Sequence, residues 1–290
     1  MNYYRLPWLS QIRFMIFDMD GTLYQDLEFH RELCRLALEG TRFESQTHAV
    51  IELVERVLDG DPRLPMPDFV RLHEIEGAIT ASNPVSPAIQ LYSAPRLRLG
   101  DVTIADHVGD DPVSLADGWS VSFAVLRIFA LPSVDRRAAF YAVRERMRRR
   151  LRPHPCLNEA LRTSSLYKIL QTNSPEDTGR DFIEALLEPE AFEEIVCDAE
   201  KPRGLHRALQ RLIDGGARPE EILSVGDHPW NDLKPARDLG CRTALISPYA
   251  GMPHGPWDLR LETLDELAEL VRAAGVGYQA RTIMQETHYE

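Results

Sequence analysis

The sequence predicts an α/β protein whose core is a doubly wound parallel sheet, with a large, mainly helical part inserted after the first strand. From residue 166 onward, short apolar segments alternate with amphipathic helical patterns, which is typical of repeated βαβ units. A separate apolar segment, residues 14–17, runs directly into acidic residues, and open α/β sheets place ligands at the carboxyl ends of their strands. We therefore expect one early strand, a long excursion, and then the rest of the sheet.

The first strand carries the strongest functional signal. Its four apolar residues, 14–17, are followed by Asp18 and Asp20, with Met19 between them and Gly21 after them. A short apolar segment suits a strand that is buried on both faces, so the acids belong at its end. Spacing by one residue lets both carboxyl groups lean the same way, and the glycine lets the backbone turn close to a bound group.

The excursion, residues 25–151, is predicted to be mainly helical because apolar residues recur there at helical spacing. The predicted helices cover residues 26–40, 50–58 and 134–151, and a further helix is predicted within residues 68–79. Around residues 81–132, Pro, Gly and Asp interrupt short alternating pieces, which predicts some strand and much loop. Because the excursion leaves just after the acidic pair and returns to the same sheet, we expect it to form a lid.

The remainder of the chain is predicted to supply the other strands of the sheet and their helices. The predicted strands cover residues 166–171, 194–197, 222–225, 242–246 and 258–261. Ser174 and Pro175 are expected to open a helix as N-cap and first helical residue, and Pro202 is expected to open the next. Thr263 with Glu266 three residues later predicts a capping box for the last helix.

Composition limits the classes of function. The chain has 290 residues, 44% of them hydrophobic and 27% charged, which suits a globular protein with a proper core. A net charge of -12 argues against a nucleic-acid partner, which would require clustered Lys and Arg. No segment has the pattern of a signal peptide or a membrane span, so no membrane partner is expected. The four cysteines are scattered without a zinc or disulfide pattern, which favours a reducing cytoplasm.

Several strands of the predicted sheet end in different polar groups, which parallel strands bring together. In chain order these groups are Asp18 and Asp20, then Thr172 and Asn173, then Lys201, then Asp227. Clustered acids repel each other unless a divalent cation lies among them, and carboxylates without His or Cys favour Mg²⁺ over zinc. A hydroxyl and an ammonium group suit phosphoryl oxygens. The combination indicates phosphoryl transfer.

The pattern resembles the haloacid dehalogenase superfamily, in its phosphatase branch with a cap inserted between the first and second motifs. The matching motifs are Asp18-Met19-Asp20-Gly21-Thr22, then Thr172, then Lys201-Pro202, then Gly226-Asp227 with Asn231 and Asp232. The resemblance implies a Rossmann-like core. The corresponding domain boundaries are 1–24 and 152–274 for the core, 25–151 for the cap and 275–290 for a tail.

The resemblance also implies a role for each matching residue. Asp18 would be the nucleophile that forms an aspartyl phosphate, and Asp20 the general acid and base. Thr172, Asn173 and Lys201 would bind the phosphoryl group. Mg²⁺ would be held by Asp18, by the backbone carbonyl of Asp20 and by Asp227, with Asp232 orienting Lys201 or a water ligand.

The function expected from the resemblance is a Mg²⁺-dependent phosphomonoesterase acting on a small phosphorylated metabolite. Two alternatives stay open, namely a phosphomutase or phosphotransferase that uses the same aspartyl phosphate, and a non-catalytic regulatory protein of the same fold. Asp20 argues against a true dehalogenase, because in the family carbon–halogen cleavage needs no leaving-group acid. Tyr24, where the chain crosses from core to lid, is either a substrate contact or hinge packing.

Overall fold

The computed structural model describes residues 3–75, 87–103, 112–129, 131 and 133–286. The strands are β1 (Phe14–Phe17), β2 (Phe69–Val70), β3 (Arg96–Leu97), β4 (Val113–Ser114), β5 (Tyr167–Gln171), β6 (Glu194–Val196), β7 (Ile222–Gly226), β8 (Arg242–Ile246) and β9 (Leu259–Leu261). The α-helices are α1 (Phe29–Leu38), α2 (Thr47–Leu58), α3 (Pro87–Ser93), α4 (Gly118–Arg127), α5 (Ser133–Arg150), α6 (Pro155–Thr163), α7 (Glu176–Leu186), α8 (Arg203–Asp214), α9 (Lys234–Asp238) and α10 (Leu264–Glu286).

The chain divides into two compact units. Unit 1 comprises Met1–Gln25, Leu151–Pro248 and His254–Glu290, and unit 2 comprises Asp26–Arg150 and Tyr249–Pro253. Residues 249–253, which the sequence prediction placed in the core, therefore pack with unit 2. The reason is a local fit, since the backbone N–H of Gly251 donates to the carbonyl oxygen of Leu58 at 2.8 Å and so satisfies an acceptor at the end of α2.

Unit 1 contains the predicted doubly wound parallel sheet. Its strand order is β6-β5-β1-β7-β8-β9, and every neighbouring pair is parallel. Strand β1 lies in the centre, where Phe17 is in register with Leu170 of β5 and Val225 of β7. The order of the strands reverses beside β1, and such switch points are where open sheets form their binding crevices.

Both faces of β1 are covered, as the apolar segment predicted. Ile16 packs with Ile169 and Ile222 of the neighbouring strands and with Leu205 and Leu209 of α8. Side chains alternate along a strand, so Met15 and Phe17 point to the opposite face, where both are 0% exposed. Each such apolar side chain contributes about 1.5–3 kcal/mol to stability on burial. The centre of the sheet is therefore a rigid base for the residues that follow it.

In unit 2, the helix predicted within residues 68–79 is wrong over residues 68–75, which contain no helix. Phe69 and Val70 form strand β2, which pairs antiparallel with β3 and β4, and residues 76–79 lie outside the described residues. An aromatic and a β-branched side chain favour a strand, and both are fully buried. The partners of β2 come from distant segments, so local spacing alone could not indicate the pairing.

The stretch predicted as strand and loop also contains two helices, α3 and α4. Helix α4 begins with a capping box, because the N–H of Ser120 donates to the Asp117 carboxylate at 2.6 Å and the N–H of Asp117 donates to the Ser120 hydroxyl at 3.0 Å. Ser120 stands where a capping box usually has Glu or Gln, so the start of α4 lacks the usual sequence signature. Helix α6 was also missed, although Pro155 marks its first position.

Two helix termini in unit 1 bear on the sequence predictions. The capping box of α10 is present, with the N–H of Glu266 donating to the Thr263 hydroxyl at 3.3 Å, and α10 continues to Glu286 through most of the predicted tail. The predicted N-cap role of Ser174 is wrong, because α7 begins at Glu176 after Pro175 without a side-chain cap.

Among the described residues no helix has the length and apolar character needed to cross a membrane.

Candidate active site

The loop after β1 folds back on itself beside the fourth strand-end motif. Asp18 continues the ladder, its N–H donating to the carbonyl oxygen of Val225 at 2.9 Å. The chain then turns through Gly21 at a φ of +79°, and a Cβ at that position would lie 2.1 Å from Oδ2 of Asp227. The missing side chain is therefore what lets the loop approach the Asp227 carboxylate.

Lys201 joins two of the predicted acids. Its Nζ lies 2.5 Å from Oδ1 of Asp18 and 2.7 Å from Oδ1 of Asp232, and the three side chains are at most 8% exposed. The hydroxyl of Thr22 donates to Oδ2 of Asp18 at 3.0 Å. Both oxygens of Asp18 are thus held, which fixes the plane of its carboxyl group.

Burial controls the protonation of this cluster. It raises the pKa of Asp18 to about 7, because desolvation disfavours the anion, and Asp232 and Asp20 add repulsion while Lys201 opposes the shift. Burial works against the charge of Lys201 as well, but the attraction of Asp18 and Asp232 outweighs it and raises the pKa of the ammonium group. Lys201 is therefore a permanent cation, and any further positive charge beside Asp18 would favour its anion.

Asp20 has a different environment, made of hydroxyl groups. The Ser174 hydroxyl donates to its Oδ2 at 2.7 Å and the Thr172 hydroxyl donates to the same oxygen at 3.2 Å. The phenol of Tyr24 donates to Oδ1. The sequence interpretation of Tyr24 as a substrate contact or hinge residue missed this bond, and it missed Ser174 as a partner of the acid.

Asn173 lies at the same edge but its side chain has another task. Its amide group accepts a hydrogen bond from the N–H of Lys201 at 2.7 Å and donates to the carbonyl oxygen of Lys201 at 3.2 Å. The predicted phosphate-binding side chain is thus engaged with the main chain at the third motif. The arrangement ties the loop after β5 to the residue that carries the ammonium group.

The fourth motif is held by a short π-helical turn, Pro229–Leu233, that follows β7. Asp232 accepts at Oδ2 from the N–H of His228 at 3.0 Å, and its carbonyl oxygen accepts from the Ser224 hydroxyl at 2.7 Å. A Cβ at Gly226 would lie 2.3 Å from that of Asp232. The turn therefore sets Asp232 directly over the strand end, with its other oxygen directed at Lys201.

Three of the buried acids could share a cation. Carboxylate oxygens of Asp18, Asp227 and Asp232 lie within 4.8 Å of one another, while Lys201 brings one positive charge to the group. Hard oxygen donors of this kind suit Mg²⁺. The prediction named the side chains of Asp18 and Asp227 and the backbone carbonyl of Asp20 as ligands. The geometry adds Asp232 to the group of acids, while the Asp20 side chain accepts hydrogen bonds from hydroxyl groups.

Comparisons with known proteins show which family the chain belongs to. A family model described as haloacid dehalogenase-like hydrolase matches residues 12–240, and no curated protein matches. Solved structures that match include one described as the HAD-hydrolase YfnB from Bacillus subtilis, bound to magnesium, at 15% identity and a TM-score of 0.51, covering 90% of this chain and 98% of that chain.

Two further solved structures also match. A HAD phosphatase from Thermococcus onnurineus has 17% identity and a TM-score of 0.45, covering 90% of this chain and 98% of that one. An L-2-haloacid dehalogenase has 17% identity and a TM-score of 0.48, covering 90% and 99%. At these identities the likeness concerns the fold.

Proposed function

Since the chain belongs to the haloacid dehalogenase-like hydrolases, we propose that it is a Mg²⁺-dependent phosphomonoesterase that hydrolyses a small phosphorylated metabolite through an aspartyl phosphate. The observation that carries the proposal is the contrast between the two acids that follow β1. Asp18 contacts the ammonium group of Lys201, whereas Asp20 accepts hydrogen bonds from hydroxyl groups. Two carboxyl groups in different environments are suited to different tasks, here nucleophile and proton carrier.

The proposed reaction has two steps. An oxygen of Asp18 bonds to phosphorus while the bond from phosphorus to the ester oxygen breaks, and Asp20 gives its proton to the departing alkoxide. Water then attacks phosphorus, Asp20 accepts the proton of that water, and the bond between phosphorus and Asp18 breaks to release inorganic phosphate. Lys201 and Thr172 would stabilise the phosphoryl oxygens during both steps.

The donor set fits the proposed cation. Asp18 and Asp227 would hold it, with the backbone carbonyl of Asp20 as a third ligand by family resemblance, and Asp232 would keep Lys201 in place. A bound Mg²⁺ would neutralise the charge of the phosphoryl oxygens and of the acids around it. Buried carboxylates within 4.8 Å of one another support the site, because mutual repulsion is relieved by a divalent cation.

Asp20 favours phosphate esters over carbon–halogen substrates. A halide ion leaves without a proton, whereas an alkoxide leaving group requires one. Three hydroxyl groups, from Tyr24, Thr172 and Ser174, bind the Asp20 carboxyl group. Three hydrogen bonds to one side chain support a reaction in which the orientation of that side chain matters.

The test is phosphate release from p-nitrophenyl phosphate and from a panel of phosphorylated metabolites, with Mg²⁺ and with a chelator. We expect turnover with Mg²⁺, loss with chelator, and loss in Asp18→Asn. Asp214→Asn is a matched control, since Asp214 is an exposed acid on α8 that bonds to Gln210. No release from any ester with excess Mg²⁺ would overturn the proposal, as would full activity of Asp18→Asn.

A further inference from the structure

We propose that Tyr24 and Ser174 are positioning residues that hold the Asp20 carboxyl group for proton transfer, one on each oxygen. The inference rests on the proposed phosphomonoesterase function and extends it to two residues outside the four motifs. The Tyr24 phenol binds Oδ1, and the Ser174 hydroxyl binds Oδ2 at 2.7 Å. Neither residue is expected to touch the phosphoryl group, so both would act through Asp20.

Tyr24 is fixed by its backbone and by its ring. The tight turn after β1 brings Tyr24 alongside Asp20, and the two residues form an isolated backbone bridge. The ring packs against Phe182 of α7, with centroids 5.2 Å apart, and Tyr24 is 5% exposed. A buried ring in such packing has little rotational freedom, so its hydroxyl group is delivered to one place.

Ser174 is fixed by hydrogen bonds on both of its polar backbone groups. Its N–H donates to the Thr172 hydroxyl at 3.0 Å, and its carbonyl oxygen accepts from the N–H of Asp198 at 3.0 Å. The side chain is thereby directed toward Asp20 and does not cap α7. Pro175 occupies the N-cap position of α7, so the Ser174 hydroxyl group is available to bind the acid.

Thr172 explains why two additional donors are useful. Its hydroxyl has one proton, which it donates to Oδ2 of Asp20 at 3.2 Å. The proposed reaction requires the same proton for a phosphoryl oxygen, so substrate binding removes this bond from Asp20. Ser174 and Tyr24 then retain one hydrogen bond on each carboxyl oxygen. The carboxyl group can therefore keep its orientation while Thr172 changes partner.

The dependence on leaving group tests the proposal. A general acid matters for an alkyl phosphate, whose alkoxide must be protonated, and matters little for 2,4-dinitrophenyl phosphate, whose leaving group departs as a stable anion. The quantity to measure is kcat/KM, which covers the steps up to the aspartyl phosphate. Since a complete general acid contributes about 10²–10⁴-fold, we expect Tyr24→Phe and Ser174→Ala each to lose about tenfold or more on the alkyl ester and under about threefold on the dinitrophenyl ester.

Matched variants separate positioning from general damage. Tyr167→Phe removes a phenol that donates to Glu194 at 3.0 Å, and Ser10→Ala removes a hydroxyl that donates to the carbonyl oxygen of Pro7 at 3.0 Å. Both variants should leave unchanged the ratio of the kcat/KM values for the alkyl and dinitrophenyl esters. Ser174→Thr keeps a hydroxyl group, so its ratio of kcat/KM values should be closer to that of the wild type than to that of Ser174→Ala.

The outcomes are distinct. Equal losses on both esters, or no loss on either, in Tyr24→Phe and in Ser174→Ala would overturn the positioning role while leaving an active wild-type phosphatase. Inactivity of the wild-type protein toward every phosphate ester would overturn the proposed function and this role with it. A larger loss on the alkyl ester in either variant, with unchanged ratios in Tyr167→Phe and Ser10→Ala, supports the role.

Discussion

Gly21 lies at the tightest point of the candidate site. A Cβ there would be 2.1 Å from Oδ2 of Asp227, and the backbone φ is +79°. Gly21→Ala should therefore incur the cost of the left-handed conformation, about 1–2 kcal/mol, and also displace Asp227. We expect a lower free energy of unfolding in urea. We also expect phosphate release to require a higher Mg²⁺ concentration, because the displaced carboxylate is a proposed ligand.

Gly40 offers a matched control at the end of α1. Its φ is +68°, and a Cβ at that position would have no atom within 4 Å. Gly40→Ala should show only the conformational cost, about 1–2 kcal/mol, with catalysis and Mg²⁺ dependence intact. If the two substitutions alter Mg²⁺ dependence equally, the steric role of Gly21 is wrong.

His30 predicts a pH dependence for unit 2. Burial lowers the pKa of its imidazole below the ordinary value of 6.5, although Glu55 at 3.4 Å opposes the shift. His30 therefore binds a proton near pH 6.5 in the unfolded chain but only at a lower pH in the folded protein. The contribution of His30 to stability is fully present above pH 6.5 and declines as the pH falls toward the lower folded pKa. The free energy of unfolding in urea, measured between pH 8 and 5, should decline less steeply in His30→Gln than in the wild type. Equal slopes would contradict the assignment.

At the residue scale the sequence predicted chemistry better than geometry. The acids, the hydroxyl and the ammonium group could be placed at strand ends because each follows an apolar segment. The partner of the Asn173 side chain could not be predicted, since it is the main chain of Lys201, 28 positions away. The same holds for Ser174 and Asp20, which are separated by 154 positions.

At the level of elements, residues 249–253 form an unexpected contact with α2. A Cβ at Gly251 would lie 2.7 Å from the carbonyl oxygen of Val57 and 2.8 Å from that of Leu58. Because backbone atoms cannot yield as a flexible side chain does, Gly251→Ala should destabilise the protein by about 1–3 kcal/mol. Thermal or urea unfolding measures the loss.

Gly100 provides the comparison for Gly251. It is exposed, and a Cβ there would have no atom within 4 Å. Gly100→Ala should leave the unfolding midpoint almost unchanged, as most surface substitutions do. A wild-type midpoint in Gly251→Ala would show that the segment is not packed against the end of α2.

Helices with a clear apolar stripe and strands flanked by turn residues could be predicted from local pattern. Strand β2 could not, because two residues carry too little periodicity and its partners, β3 and β4, come from later parts of the chain. Helix α4 illustrates a different failure. Asp117 and Ser120 form its capping box, but Gly and Asp are also common in turns, and the pattern around them predicted a loop.

For the molecule as a whole, the buried acids predict a stabilising effect of Mg²⁺. The oxygens of Asp18, Asp227 and Asp232 lie within 4.8 Å of one another in unit 1, and a ligand that binds only the folded state adds about 2.7 kcal/mol at about one hundred times its Kd. Thermal unfolding should therefore shift upward with Mg²⁺ concentration, with no substrate present.

The control for this shift is a change of one acid. Asp227→Asn removes a proposed ligand and should reduce the shift, whereas Asp214→Asn on the surface of α8 should retain it. A shift of equal size in all three proteins would place Mg²⁺ elsewhere, and no shift in wild type at millimolar Mg²⁺ would contradict the site.

The sequence by itself determined the doubly wound parallel sheet and the kinds of group that follow its strands, because burial on both faces leaves a clear apolar pattern and an acid cannot lie within it. Only the tertiary structure decided which groups meet. The hydroxyls of Tyr24 and Ser174 reach Asp20, and Lys201 reaches both Asp18 and Asp232. These contacts depend on strand order and on the path of each turn, which bring together residues far apart in the chain and which no local pattern encodes.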